Sequence, residues 1–297
     1  MSPARTETSW AGTHYVFRER AMSPAEAGLL SGSDVPETDA PELPAPTYGE
    51  PTFMIDADTG YTMAIITRLP DDRLAELRRA VAAVTMQSVA RAKLVKAGRS
   101  AARTFGWAPR KPQALADACR KASLDRDHPD SGKVLAELAG WLGREFQRLM
   151  PERAYADRAV VGQVRDDWLL DEDALWTSGV INRSATLPYH RDGSNFHTWS
   201  AMPTLRFATR GGTLHLPEYD VCFPCRDGEV TWFCGKDLVH GVTPMRGVRA
   251  DAYRYSVVYY ALSGMVDCAT FAEETRRGPE RRTQREREIA DRARRAP

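Results

Sequence analysis

Residues 187–195 read Leu187-Pro188-Tyr189-His190-Arg191-Asp192-Gly193-Ser194-Asn195, and the fold turns on the His-x-Asp at their centre, in a strand-to-loop setting. On an extended chain, residues i and i+2 point to the same side, so this imidazole and this carboxylate can face one cation. Alone the dipeptide is a weak signal, since a His beside a turn is more often a surface or core residue. A second imidazole is needed. His240-Gly241 supplies one, following the apolar strand Val230–Phe233 and the turn at Gly235. Two His and one carboxylate leave three coordination positions open, which suits non-haem Fe(II) working with O2 and a bidentate cosubstrate.

Outward from this centre the texture is that of short strands and turns. Candidate strands are Val160–Val164, Trp176–Asn182, Thr204–Phe207, Thr213–Leu216, Val230–Phe233 and Tyr253–Leu262, with Gly211-Gly212 and Asp227-Gly228 as turns. This is a jelly-roll pattern. In the last strand Arg254, Ser256, Val258 and Tyr260 share one face by alternation. An Arg aimed into a barrel mouth needs an anion, because a buried unpaired guanidinium is costly. The distal carboxylate of 2-oxoglutarate would pair with it, with the Ser256 hydroxyl as a second donor. A salt bridge to a protein carboxylate is the structural alternative.

Upstream, strands are expected at Phe53–Ile55 and Thr62–Ile66. Three helices should follow. The first begins at Asp71 and buries Leu74, Leu77, Val81 and Val84; the second covers about Pro112–Lys121; the third buries Val134, Leu135, Leu138, Leu142, Phe146 and Leu149. The expected organisation is a Pro-rich extended arm over residues 1–50, partly disordered unless it wraps the core, a catalytic unit over 51–272, and a charged helix or tail over 273–297. The fold class is α+β, a double-stranded β-helix (jelly-roll) core buttressed by N-terminal helices.

With 297 residues, 42% hydrophobic and 27% charged, the chain is an ordinary globular one whose length suits one catalytic domain with appendages. The net charge of +1 conceals a basic segment, Asp71–Ala122, with twelve Lys/Arg against four Asp/Glu. On one face these charges would attract a polyanion; otherwise they are a solvated helical surface. Five cysteines without framework spacing argue against a secreted disulfide scaffold. No apolar signal core and no apolar run of about 18 residues is present, so a cytosolic protein without membrane contact is expected.

Taken together, His190-x-Asp192-x-x-Asn195, Gly211-Gly212-x-Leu214-x-Leu216-Pro217, His240-Gly241 and Arg254-x-Ser256 resemble the TET/JBP family of Fe(II)/2-oxoglutarate dioxygenases. The nearest resemblance is to the small phage and bacterial members that act on 5-methylcytosine in DNA. It implies oxidation of the 5-methyl group to 5-hydroxymethylcytosine with Fe(II), 2-oxoglutarate and O2, and DNA containing 5-methylcytosine as partner. It also implies His190, Asp192 and His240 as metal ligands, Arg254 and Ser256 on the cosubstrate, Asn195 holding the target base and Tyr260 near it. Leu262 stands where larger relatives carry another base-contacting polar residue, which leaves thymine open as the base. Asn195 also reads as a turn-former after Gly193-Ser194. Tyr189, Phe196 and Trp199 could stack on a base or simply pack. Arg191 could meet DNA or water, and the basic stretch Arg99–Gly106 could face phosphate or cosubstrate. Two rival readings remain: a dioxygenase of the same superfamily acting on a small molecule or protein side chain, and a noncatalytic metal-bearing or nucleic-acid-binding module. Cys222-x-x-Cys225, with Cys234 and Cys268 downstream, keeps zinc open for the second.

Overall fold

The computed structural model describes residues 5–88, 101–110, 118–184 and 186–295. The chain opens with a hairpin, β1 (Arg5–Trp10) and β2 (Thr13–Arg18), and a short helix α1 (Pro24–Leu29) capped by Ser23. Strands β3 (Thr52–Asp56) and β4 (Thr62–Arg68) follow, then helix α2 (Asp71–Ala82) and strands β5 (Gln87–Ser88), β6 (Ala101–Ala108) and β7 (Arg120–Lys121). Helices α3 (Ser123–Asp127), α4 (Pro129–Leu149) and α5 (Pro151–Val161) precede the strand-rich half. That half comprises β8 (Ser178–Arg183), β9 (Ser200–Phe207), β10 (Thr209–Gly211), β11 (Leu214–Leu216), β12 (Val221–Phe223), β13 (Glu229–Phe233), β14 (Gly241–Val242), β15 (Met245–Gly247) and β16 (Tyr253–Tyr260). Helix α6 (Phe271–Arg295) ends it.

Eleven strands form one sheet in the order β1-β2-β3-β4-β13-β9-β16-β8-β6-β5, with β7 on β6; every pair is antiparallel except β2–β3. Opposite its middle lies the small sheet β12-β11-β14, and β10–β15 make a separate ribbon. Each face of the large sheet has its own core. On one, Ile65, Trp232, Ile181, Val257 and Tyr259 pack with Leu77, Val81, Leu135, Leu138 and Phe146 of α2 and α4. On the other, Met54, Ile66, Met202 and Phe233 meet Leu214, Leu216, Phe223 and Val242 of the small sheet. Sheet on sheet with helices behind is the expected α+β double-stranded β-helix.

The helices form where acidic or proline starts meet three-and-four spacing. Asp71 and Asp72 occupy the first turn of α2, where the helix dipole favours them, and Leu74, Leu77, Ala80 and Val81 are its buried stripe. Pro129 opens α4, which buries Leu135, Leu138, Leu142 and Phe146.

Three expectations differ. Residues 1–50 are not extended throughout: Arg5–Trp10 and Thr13–Arg18 pair as a hairpin that joins the large sheet through β2–β3, and Pro24–Leu29 is helical, because the prolines that keep the chain extended gather only at 36–46. Val160–Val164 is no strand: Val160 and Val161 complete α5, which starts at Pro151, and the segment then turns through Gly162. A short apolar run at a helix end looks like a strand because periodicity cannot separate them. The helix expected over Pro112–Lys121 falls partly outside the described residues, and its end, Arg120–Lys121, pairs with β6 as β7.

Residues of the Pro-rich stretch run extended along the small sheet, with the Leu43 amide donating to the Cys222 carbonyl and the Cys222 amide to that of Pro41. Leu43 is buried there. Cys119 and Cys268 are joined by a disulfide across 149 residues, while Cys222, Cys225 and Cys234 are free and buried.

Candidate active site

His190 and His240 come from segments that touch at a single antiparallel bridge, each backbone N–H donating to the other's carbonyl at 2.9 and 3.0 Å. The ring centroids are 4.3 Å apart. Each Nδ1 lies within hydrogen-bond distance of a carbonyl two residues back, His190 at 2.8 Å from Pro188 and His240 at 2.9 Å from Leu238. Those bonds hold the proton on Nδ1 and leave both Nε2 lone pairs free, the arrangement a metal requires. Asp192 turns in beside them, its Oδ1 3.7 Å from His190 Nε2. The ligand atoms of His190, Asp192 and His240 all lie within 4.8 Å of one another. Burial, reinforced by the neighbouring His190, pushes the His240 pKa down to about 4, so the ring is neutral near pH 7.

Asp192 is held on three sides. Its amide donates to the Gly235 carbonyl at 2.9 Å, and the Asn195 side-chain amide donates to its Oδ2 at 3.2 Å. On the third side Gly235 leaves room: a Cβ there would stand 2.3 Å from Oδ2, so the close approach requires glycine.

These residues edge a cavity of about 210 Å³ between the two sheets, lined also by Asn182, Asn195, Ser256, Tyr260 and Leu262. A larger hollow, about 560 Å³, lies by the β10–β15 ribbon and contains none of the candidate ligands. Arg254 lies two residues from Ser256 on the same face of β16 and is 1% exposed. Its Nε and Nη2 have no hydrogen-bond partner, and among the described residues no carboxylate pairs with it. The salt-bridge alternative is therefore not met. Its cross-strand neighbour is another cation, Arg206, whose own pKa is lowered by burial and by Arg254. Arg206 spends its guanidinium on the carbonyls of Pro224, Thr209 and Gly211. Two more polar atoms on this face lack partners, the hydroxyls of Thr204, opposite Ser256, and Thr231. Orphaned buried donors beside excess positive charge are what a bound dicarboxylate would satisfy.

Residues 110–263 match the family model described as the Tet_JBP oxygenase domain of the 2OGFeDO superfamily. The chain belongs to this Tet/JBP oxygenase family. Among solved structures it resembles NgTET1 in complex with 5mC DNA, at a TM-score of 0.56 and 13% identity over 84% of this chain and 95% of that one. A 2OG-Fe(II) oxygenase from Burkholderia pseudomallei follows at 0.44 and 20%, over 67% and 88%. OsALKBH1 matches at 0.37 and 12%, over 66% and 97%. No curated protein sequence matches the chain. As a family member this Tet/JBP oxygenase is a dioxygenase that uses Fe(II), 2-oxoglutarate and O2. The residues present fit those groups: two imidazoles and a carboxylate for the metal, and the unpartnered Arg254 for the diacid.

Several side chains sit otherwise than the sequence suggested. Arg191, about a third exposed, is tied back to the protein: it donates to Glu218 Oε1 at 3.1 Å and to the Pro24 carbonyl at 3.0 Å. Of the stretch Arg99–Gly106, Arg103 is turned inward, bonding the carbonyls of Thr85 and Ser123 and pairing with Asp127. Much of the basic segment lies outside the described residues, and on α2 Arg73 and Arg78 are paired with Glu76 and Asp227. The three aromatics are packed. Trp199 is in the core against Phe146, Tyr189 is buried with its hydroxyl 2.6 Å from His215 Nδ1, and Phe196 packs by the disulfide. The zinc option loses Cys268 to the disulfide, and Cys222 and Cys225 join no metal-capable group among the described residues. Cys234 does neighbour His197 and Asp237, but burial and Asp237 push its thiol up to about 12.

Sequence reasoning missed Thr204, Asn182 and Glu218. Alternation in Ser200-Met202-Thr204-Arg206 could have flagged Thr204; nothing local marks Glu218. Among the described residues no helix is long and apolar enough to cross a membrane.

Proposed function

We propose that this Tet/JBP oxygenase oxidises the 5-methyl group of 5-methylcytosine in DNA to 5-hydroxymethylcytosine, with His190, Asp192 and His240 as the iron ligands. The observation that carries the reading is the wall of the cavity beside Asp192: Asn195 and Tyr260 line it within reach of the candidate ligands, and Leu262 adds an apolar patch. The Asn195 amide uses one N–H on Asp192 and keeps its carbonyl oxygen and second N–H for a base edge. The likeness to NgTET1, a protein solved with 5mC DNA, agrees with a DNA substrate. A methyl group inside a duplex is out of reach, so the base must be extruded at a cost of a few kcal/mol, or the substrate must be single-stranded.

Bound iron, with O2 and 2-oxoglutarate, supplies the oxidant that exchanges a methyl hydrogen for hydroxyl while 2-oxoglutarate leaves as succinate and CO2. The chain's own residues orient and exclude water. Arg254, with Ser256 beside it, fixes the distal carboxylate of the diacid and so directs its keto-acid end towards His190, Asp192 and His240. Asn195 links the base to the iron site through Asp192, setting the methyl group against the metal. The packed wall of Met202, Leu214, Phe233 and Val242 keeps the cavity dry.

The test is nucleoside mass spectrometry of 5-methylcytosine DNA and of thymine-only DNA after incubation with protein, Fe(II), 2-oxoglutarate and ascorbate. Hydroxymethylcytosine formed only with 2-oxoglutarate is expected. Oxidised thymine would reassign the base, and unchanged DNA with succinate release would replace DNA by a small molecule or protein side chain.

A further inference from the structure

Behind the two histidines lies a carboxylate that the reaction as described does not use. Glu218 follows Leu216-Pro217 at the end of β11 and is 1% exposed. A carboxylate so buried persists only with partners. Its Oε1 accepts from Arg191 Nη2 at 3.1 Å and from the Val239 amide at 3.3 Å, and its Oε2 accepts from Arg20 Nη1 at 3.3 Å. Arg191 lies between His190 and Asp192, and Val239 immediately precedes His240. One side chain therefore grips both segments from which the three candidate ligands project.

Those segments meet at an isolated bridge rather than in a ladder, with two further backbone bonds, from the Val242 amide to the Leu187 carbonyl at 2.8 Å and from the Asp192 amide to that of Gly235 at 2.9 Å. The backing comes from the N-terminal arm: the Ala21 amide donates to the Glu218 carbonyl at 2.8 Å, and Tyr189 exchanges bonds with Gly32 and Ser33 at 2.8 and 2.9 Å. Val35 packs with Tyr189 and Val239.

We propose that Glu218 is a positioning residue of the iron centre, clamping the His190/Asp192 segment to the His240 segment, with residues 20–35 as its backing. The clamp rests on the assignment of His190, Asp192 and His240 as the metal ligands. Because Arg191 points away from its two neighbours, anchoring its guanidinium fixes the rotation of the loop, and with it the directions of the His190 and Asp192 side chains. The Val239 bond does the same for His240 from the other side.

The experiment is an anaerobic Co(II) titration of the full chain without 2-oxoglutarate, followed by the ligand-field spectrum, well below the melting temperature of each variant. Glu218→Gln keeps the shape and removes the charge; Arg191→Met removes the other half of the pair from a partly exposed position. Both should raise the Co(II) Kd, by about ten- to a hundredfold for Glu218→Gln, the range for outer partners of metal ligands, and both should alter the spectrum. Unchanged Kd and spectrum in the folded variants, even with a lower melting temperature, would overturn the clamp. If Glu218→Gln does not fold, Arg191→Met decides. His190→Ala is the control: wild-type Co(II) binding there would overturn the ligand assignment itself, separately from the clamp.

Discussion

Replacing Arg254 by Met should change two properties in opposite directions. Without cosubstrate the guanidinium is buried with Nε and Nη2 unpaired and Arg206 beside it. Each unmet buried donor costs about 1–3 kcal/mol, and exchanging buried charge for apolar volume is often stabilising by about 1–4 kcal/mol. Met preserves much of the aliphatic stem, so Arg254→Met should leave the ligand-free protein as stable or more stable. At about 2 °C per kcal/mol for a chain of this size, a rise in Tm of up to about 8 °C is within range. Binding of 2-oxoglutarate should suffer. Losing one partner of a buried charge pair costs about 2–5 kcal/mol, or about 30-fold to a few thousandfold in Kd. Thermal unfolding of the ligand-free protein measures the first effect, and calorimetric titration of 2-oxoglutarate into the Mn(II)-loaded protein the second. A variant that is less stable but binds 2-oxoglutarate like the wild type would refute the argument, since Arg254 would then be structural.

The other predictions concern packing, pH and the disulfide. Gly235→Ala should weaken metal binding by more than tenfold in equilibrium dialysis while the fold persists, because the added Cβ displaces Asp192, whose Oδ2 would lie 2.3 Å away. Asp56 is buried, which pushes its pKa up, but bonds from Tyr219, Thr59 and Arg20 win and hold it at about 2. A depressed carboxylate stabilises above its unfolded pKa, so roughly 2 kcal/mol should be present above pH ~4 and fade as pH falls towards 2; in acid-titrated unfolding, Asp56→Asn should lose this dependence. Reducing Cys119–Cys268, or the paired Ser variants, frees a chain closed over 149 residues and should cost up to about 5 kcal/mol by loop entropy, read as a lower denaturation midpoint.

What the sequence made legible follows from how local each signal is. Alternation in Tyr253–Tyr260 alone assigns Arg254 and Ser256 to one face and Val257 and Tyr259 to the other; the structure has Ser256 in the cavity wall, Arg254 buried two residues along the same face, and Val257 and Tyr259 in the helix-backed core. The His-x-Asp and the later His were readable as a set, and the structure brings them together through one backbone bridge. Arg191 was not readable, because its partner Glu218 is 27 residues away in the sequence. Thr204 matters through register: it stands opposite Ser256 because β9 pairs with β16 at that offset. Cys119 and Cys268 carry no spacing signal, since sequence cannot fix a pairing over that distance. Val160-Val161 failed for the opposite reason, a strand-like composition inside a helix set by Pro151.

The two halves of the site are built on backbone of different stiffness, and this orders how they should fail. Arg254 and Ser256 sit within an eight-residue strand bonded to β8 and β9 on both sides, so their positions are fixed by ladders that tolerate local damage. His190, Asp192 and His240 sit on a bridge and a loop, where the backbone can take the irregular path that three converging ligands require. That freedom must be removed by side chains, and Glu218, Arg191, Asn195 and the gap at Gly235 supply the restraint. Damage to the N-terminal arm should therefore weaken metal binding before it weakens the diacid pocket. A variant of Arg20, which reaches Glu218 and Asp56 from the arm, separates the two: its metal affinity should fall while the unpaired Arg254 remains in place to receive its anion.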